Sequence, residues 1–213
     1  MKTILLTAAI GVAFALGTTL EANATITYTD ETDFLTKIAP GYYHNDFSGI
    51  QLSPSVLTSP QDFTQSGYSY SISAVNGLFG LAGAISVNYE YDSIVVDFKS
   101  GNVTAVGGTA FLTDFSGNLF TGTVTVTLGD GTKVTTDTEN FFGFTSAGAV
   151  IDSLTIRSSL PDDPLNPSSF ASLDNFYVGT AVAEPSTLTA GLLLSLLIGF
   201  HWALRERKQA KNS

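Results

Sequence analysis

The feature that most constrains this chain is an apolar run near its C-terminus, from Leu188 to Leu204. A basic tail, residues 205–213, follows the run. At 1.5 Å per residue, a helix of this length is close to the minimum that spans a hydrocarbon core of about 30 Å. Because Lys and Arg beside a membrane helix favour the cytoplasmic side, the run predicts a C-terminal transmembrane helix with the preceding chain outside the cytoplasm.

A short polar motif stands directly before this run. It consists of Glu184, Pro185, Ser186 and Thr187. The order of motif, apolar helix and basic tail resembles the PEP-CTERM sorting signal of Gram-negative and related bacteria, although Ala183 stands at the first proline of that signal. The resemblance covers residues 181–213 and implies an exosortase-type processing enzyme as a partner. A permanent C-terminal membrane anchor is the alternative.

The other end of the chain has the pattern of a secretory signal peptide, residues 1–24. Lys2 supplies the positive start, Ile4 to Leu16 form the apolar stretch, and Ala22 and Ala24 form an A-x-A cleavage site. We therefore expect a mature chain that starts at Thr25. A retained N-terminal anchor is the alternative interpretation.

Composition limits what the remaining body, residues 25–180, can be. The chain has 213 residues, a formal net charge of −10 and no cysteine. The body has the length of one domain. Its acids outnumber its cations several-fold, so it should repel nucleic acid rather than bind it.

The sequence of the body predicts an all-β fold with many short strands. In Tyr68 to Ala74, serines alternate with Tyr, Ile and Ala, as in a half-buried strand. Ser93 to Phe98 is mainly apolar, and Thr121 to Thr136 is expected to form a hairpin around Asp130-Gly131. Asp30 can cap one short helix. We expect an antiparallel β-sandwich, jelly-roll-like, in which the first strand (25–30) pairs with the last (170–179).

Several shorter segments carry local expectations. Gly107-Gly108 predicts a bulge or bend within a strand. Residues 77–80 are expected to form a loop, and the phenylalanines 141, 142 and 144 are expected in the core. The stretches AVGGTAFLTD, GTVTVTLGDGT, FFGF and SLDNFYVG resemble ectodomains that carry this sorting signal, which implies a shared architecture and export.

Catalytic motifs are scarce in the sequence. The body has a single histidine, His44, and contains neither a G-x-S-x-G elbow nor a Walker A motif. Paired carboxylates are the remaining catalytic option, and Glu90, Asp92 and Asp97 are the candidates. A solvated role is the more common one for such acids, so we expect no enzymatic activity.

Two binding alternatives stay open. Asp174 and Asn175 on the closing strand, with Asp30 or Asp46, offer oxygen ligands for a calcium ion. The turn 114–118 also alternates oxygen ligands but lacks a bidentate acid. Four tyrosines could stack on sugar rings if they are exposed, namely Tyr42, Tyr43, Tyr89 and Tyr91.

These observations favour a non-enzymatic exported protein of the cell surface or extracellular matrix. It would pass through an intermediate anchored in the inner membrane by Leu188 to Leu204, with its ectodomain outside the cytoplasm. Extracellular polysaccharide is the expected surrounding. The alternative is a carbohydrate-binding β-sandwich module, stabilised by calcium.

Overall fold

The computed structural model describes residues 24–50, 55–81, 83–159 and 169–183. Most of the expected signal peptide, the sorting motif and the expected membrane helix lie outside these residues. Within the described part, no helix is long and apolar enough to cross a membrane.

The described chain consists of fifteen strands and one short helix, α1 (Glu31–Leu35). In chain order the strands are β1 (Thr25–Tyr28), β2 (Tyr43–Asn45), β3 (Ser55–Leu57), β4 (Gln61–Gln65), β5 (Tyr68–Ser73), β6 (Leu78–Leu81), β7 (Ala84–Val87), β8 (Ser93–Phe98), β9 (Ala105–Thr113), β10 (Leu119–Phe120), β11 (Thr123–Leu128), β12 (Lys133–Asp137), β13 (Asn140–Ser146), β14 (Ser153–Ser158) and β15 (Phe170–Gly179).

The strands form two antiparallel sheets. The nine-stranded sheet has the order β1-β13-β9-β15-β7-β6-β3, with β10 beside β9 and β2 beside β15. The six-stranded sheet has the order β12-β11-β14-β8-β5-β4. The main body is therefore mostly antiparallel β-structure with one short helix, as the sequence predicts.

The main hydrophobic core lies between the two sheets. Alternate residues of each strand face it, such as Ile94 and Val96 of β8 and Phe142 and Phe144 of β13, all fully buried. The residues between them face outward, and on the six-stranded sheet these are mainly Thr and Ser. Because each strand buries only one of its faces, its alternating sequence pattern predicts that two sheets pack against each other.

The hairpin at Asp130-Gly131 is confirmed, but its loop is longer than the two residues that the dipeptide suggests. Leu128 and Thr132 close the loop, because the Leu128 amide donates to the Thr132 carbonyl over 2.8 Å. Gly131 adopts φ +89°, which suits the left-handed position of a three-residue loop. The Asp130 carboxylate accepts the Thr132 amide hydrogen bond at 2.7 Å.

Helix α1 covers the outer face of the nine-stranded sheet. The predicted cap is confirmed, since Asp30 Oδ1 accepts the Asp33 amide over 2.9 Å. Phe34 is fully buried in a second, smaller core. Its ring contacts those of Phe141 and Tyr177 at centroid distances of 5.4 and 6.3 Å. Phe141 is thus buried on the face opposite its neighbour Phe142.

Glycines on the outer face make room for this second core. A β-carbon at Gly143 would lie 2.8 Å from Cδ2 of Phe34, and one at Gly107 would lie 2.7 Å from Cζ of Phe141. The prediction of a bulge at Gly107-Gly108 is wrong, because β9 pairs without interruption with β13 there. The irregularity lies in the neighbouring strand, between Asp174 and Tyr177 of β15.

Two other expectations are corrected by the sheet order. The first strand does not pair with the last, because β13 and β9 lie between β1 and β15. Instead, the chain after α1 lies beside the chain after β15, since Ile38 and Ala181 form a backbone bridge. The segment 77–80 is not a loop as expected, because residues 78–80 belong to strand β6, which pairs along its whole length with β7.

The register of the nine-stranded sheet places both ends of the described chain at one end of the sandwich. Gly179 pairs with Ala105, and Ala105 pairs with Thr145. Thr25 pairs with Ser146, the next residue along. We call this end, where β15 finishes and β1 begins, the exit end, and the opposite end, where β15 begins at Phe170, the distal end.

We predict that Gly143→Ala destabilises the domain by about 1–3 kcal/mol, because the new methyl group overpacks the Phe34 ring. The opposing gain from a stiffer unfolded chain is at most about 1 kcal/mol. Denaturant unfolding of the mature protein measures the difference. Gly49→Ala is the matched control, because a β-carbon there meets nothing within 4 Å. Equal stability of the two variants would contradict the proposed packing.

Candidate functional site

The bulge of β15 is the most irregular feature on the outer face of the nine-stranded sheet. Strand β15 pairs with β7 at residues 172–173 and with β2 at residues 176–178, on the same side. Asn175, between them, adopts φ +46°, a conformation that Asn tolerates better than most residues. Leu173 and Phe176 face the main core, so Asp174 and Tyr177 lie on the outer face.

Asp174 is held at this bulge by its own neighbour. Its Oδ1 accepts the Asn175 amide at 2.5 Å, and its Oδ2 accepts from Asn175 Nδ2 at 3.1 Å. Partial burial raises the pKa of Asp174, and the negative charge of Asp46 raises it further, whereas His44 acts in the opposite direction. The bulge therefore brings Asp174, Asp46 and His44 into one electrostatic neighbourhood.

The other members of this neighbourhood have structural partners. The imidazole of His44 stacks on the Tyr177 ring at a centroid distance of 4.3 Å. The Tyr177 hydroxyl donates to Glu31 Oε1 of helix α1, and burial raises the pKa of Tyr177 well above its usual range. Asp46 accepts from the Ser48 hydroxyl at 2.7 Å, and the hydrogen bonds from Ser48 lower the pKa of Asp46. These contacts explain the residues as parts of the fold.

Asp30, one of the proposed calcium ligands, has a structural role, because its carboxylate caps helix α1. Asp46 is the acid that shares the surroundings of Asp174, yet no group of three or more His, Cys, Asp or Glu side chains able to hold a metal occurs among the described residues. Calcium binding at Asp174 and Asn175 stays a prediction.

Asp92 and Asp97, two of the three carboxylate candidates, do not form a working pair. Asp92 accepts from the amides of Asn76 and Ser93, at 2.9 and 2.8 Å, and so fixes the start of β8. Asp97 lies five residues further along the strand direction, about 16 Å away, and its nearest ionic partner is Lys99 at 4.0 Å. Glycosidase carboxylates are about 5–9.5 Å apart, so Asp92 and Asp97 cannot work together. Glu90 is exposed in the turn before them.

The proposed sugar-stacking tyrosines divide into different roles. Tyr43 is buried and packs on Tyr70 at 5.6 Å, so its assignment to a binding surface is wrong. Tyr42 is half-buried against Tyr177. Tyr89, 58% exposed, is the one of the four that presents most of its ring to solvent.

Sequence reasoning missed a cleft at the distal end, which we call the distal cleft. Its volume is about 170 Å³. The lining is more apolar than polar. The residues are Phe79, Leu81, Ser86, Val87, Asn88, Thr113, Asp114, Phe115, Gly117 and Phe170. Phe115 was a signal for this cleft that the sequence offered. It is a large apolar residue in a turn of Asp, Ser, Gly and Asn, where side chains are expected to be exposed.

The turn that carries Phe115 is well braced. Asp114 Oδ1 accepts the amides of Ser116 and Asn118 at 2.8 and 2.9 Å, and its Oδ2 accepts from Asn118 Nδ2 at 3.1 Å. These bonds lower the pKa of Asp114, which is therefore ionised at neutral pH. In the calcium candidate 114–118, the Asp114 carboxylate thus has a structural role, because it stabilises the turn by these hydrogen bonds.

One of the predicted processing residues, Ala24, lies at the exit end. Ala24 is exposed, and its carbonyl accepts the Ala147 amide at 3.2 Å. Ala22 and the motif of Glu184, Pro185, Ser186 and Thr187 lie outside the described residues. No family model, curated protein or solved structure matches this chain. The resemblance of the tail to a sorting signal therefore stands on its residues alone.

We predict that Asp46→Asn lowers the pKa of Asp174, because a neighbouring negative charge is removed, while burial keeps it above the usual 3.8. Titration of the carboxyl carbons by NMR measures this. Since the folded-state pKa is raised, the contribution of Asp174 to stability is complete below its unfolded pKa and is lost as pH rises through the folded value. Asp62→Asn, an exposed site on the other sheet, is the control. A pKa of Asp174 at or below 3.8 would contradict the geometry.

Proposed function

We propose that this chain is a non-enzymatic exported protein of the cell surface or extracellular matrix, sorted through its C-terminal motif by an exosortase-type enzyme. The single observation that carries the proposal is the order of polar motif, apolar run and basic tail in residues 184–213. The signal-peptide pattern before Thr25 supports the same route. In this proposal Leu188 to Leu204 span the inner membrane until the enzyme acts.

The fold is compatible with this route. Both ends of the described chain leave the domain at the exit end, where a membrane would hold them. The Val182 amide donates to the Lys37 carbonyl at 2.8 Å, so the chain is fastened two residues before the motif. Leu188 is six positions after Val182, and these steps span at most about 20 Å when the chain is extended. The motif would then sit between a folded domain and the membrane surface.

The described residues also suit a durable extracellular domain. We propose that its two sheets are a jelly-roll-like variant of the β-sandwich, which commonly serves in binding and surface roles. Its strongly acidic composition favours solubility outside the cell. The separation of Asp92 and Asp97 supports a non-enzymatic role. Extracellular polysaccharide remains the proposed surrounding.

The intact mass of the protein from cells with and without the host exosortase tests the proposal. We expect a mature chain that starts at Thr25 and ends near residues 184–187, with this C-terminal end lost in the enzyme-deficient strain. A C-terminus at Ser213 in both strains would mean a permanent anchor and would refute the sorting step. An unprocessed N-terminus would refute the signal peptide separately.

A substitution in the motif gives a second prediction. Pro185→Ala should block the C-terminal cleavage and leave the full-length, membrane-associated form, because the resemblance implies that the enzyme reads this residue. The mass and the membrane fraction report the result. Pro54→Ala, the same change outside the motif, should leave processing intact. Normal cleavage of the Pro185→Ala protein would show that the motif is not what the enzyme recognises.

A further inference from the structure

We propose that the distal cleft binds a single neutral sugar unit of a polysaccharide. This extends the proposed function, since the placement of the cleft away from the membrane rests on it, whereas the ligand chemistry rests on the lining residues. A pyranose ring has one face of C–H bonds and a rim of hydroxyl groups. A site for it needs an apolar platform next to hydrogen-bonding groups, within a volume close to that of one ring.

The apolar platform is made by residues from three separate segments. Phe115 lines the cleft from the tip of its turn, where its side chain is 90% exposed. Phe79 of β6 and Phe170 of β15 line it from the sheet. Leu81 supports the turn, because its Cδ2 lies 3.3 Å from the position of a β-carbon at Gly117. Since the Asp114 carboxylate braces the turn, the backbone that carries Phe115 is fixed before a ligand arrives, which reduces the entropy cost of binding.

The polar side of the lining can serve hydroxyl groups. A carboxylate has about four acceptor positions, and Asp114 uses three of them within its turn. Oδ2 has one hydrogen-bond partner, Asn118 Nδ2, and can accept from a further hydroxyl donor. Asn88 and Thr113 add an amide and a hydroxyl group to the same lining. A purely apolar ligand would exclude water from these groups without replacing the hydrogen bonds that water makes to them.

Charge restricts the class of sugar. Asp114 is ionised, and none of the four cations of the body, Lys37, Lys99, Lys133 and Arg157, is among the lining residues. An anionic sugar such as a uronic acid would meet repulsion without a compensating cation. The three phenylalanines likewise disfavour a small hydrated cation, so a neutral sugar is the ligand that satisfies both halves of the lining.

A second depression of about 400 Å³ provides a comparison. Thr29, Thr123, Thr135, Thr136, Asp137 and Asn140 line it. It offers hydroxyl and carboxylate groups but no aromatic ring, so it lacks a platform for the C–H face of a sugar. Of these two depressions, the distal cleft is the one that combines both chemistries. It also lies at the distal end, where Phe170 begins β15 and where a polymer outside the cell would be reached first.

Affinity electrophoresis of the full chain, purified in detergent, tests the proposal. Gels contain hydroxyethyl cellulose, galactomannan or dextran as neutral polymers, or polygalacturonate as an anionic one. We expect at least one neutral polymer to retard the protein and polygalacturonate not to. Phe115→Ala should weaken that binding about three- to tenfold, because an aromatic contact is lost. Phe115→Tyr should retain it, since the ring remains.

The controls separate binding from folding and from sorting. Tyr89→Ala removes an exposed ring that does not line the cleft, so its retardation should equal that of the unmodified protein. Because Phe115 is so exposed, its variants should unfold at the same temperature, as circular dichroism measures. No retardation by any neutral polymer, equal retardation by polygalacturonate, or full binding by Phe115→Ala would each overturn the proposal. None of these results depends on exosortase processing.

Discussion

The packing of β15 is the constraint on which the nine-stranded sheet depends. This strand pairs with β9 at residues 170–174 and 177–179, and with β7 and β2 on its other side. The bulge at Asp174 and Asn175 lies between the residues that pair with β7 and those that pair with β2. Beyond it, Phe176 faces the main core and Tyr177 the second core. One strand therefore contributes to both hydrophobic cores and to the docking of helix α1.

The strands with regular alternation were predictable from the sequence because burial of one face imposes a period of two. Ser93 to Phe98 was predicted at the bounds observed, and Asp30 identified the helix start. Phe170 to Gly179 was also predicted at its bounds, but its bulge was not. Pairing was not predictable in the same way. Whether β1 joins β15 or β13 depends on contacts between distant residues, such as Phe34 against Gly107 and Gly143, which no local pattern reveals.

The candidate site shows the same limit. Asp174 and Asn175 were predicted as calcium ligands from their residue types. In the structure they form a bulge in which the Asp174 carboxylate accepts two hydrogen bonds from Asn175. The distal cleft combines β6, β7, β9, β15 and the turn after β9, segments that are far apart in the chain. Phe79 was in a segment expected to be a loop. A site built from such separate pieces becomes visible only when the sheet order is known.

The two ends of the sandwich differ in a way that would connect the proposed sorting signal to the distal cleft. The exit end holds the chain by backbone hydrogen bonds, from Val182 to Lys37 and from Ala147 to Ala24. The large apolar side chains exposed there are aliphatic, Ile26 and Val182, whereas the distal end exposes the aromatic ring of Phe115. If the membrane occupies the exit end, as we propose, the distal end is the surface left free to meet a polymer outside the cell.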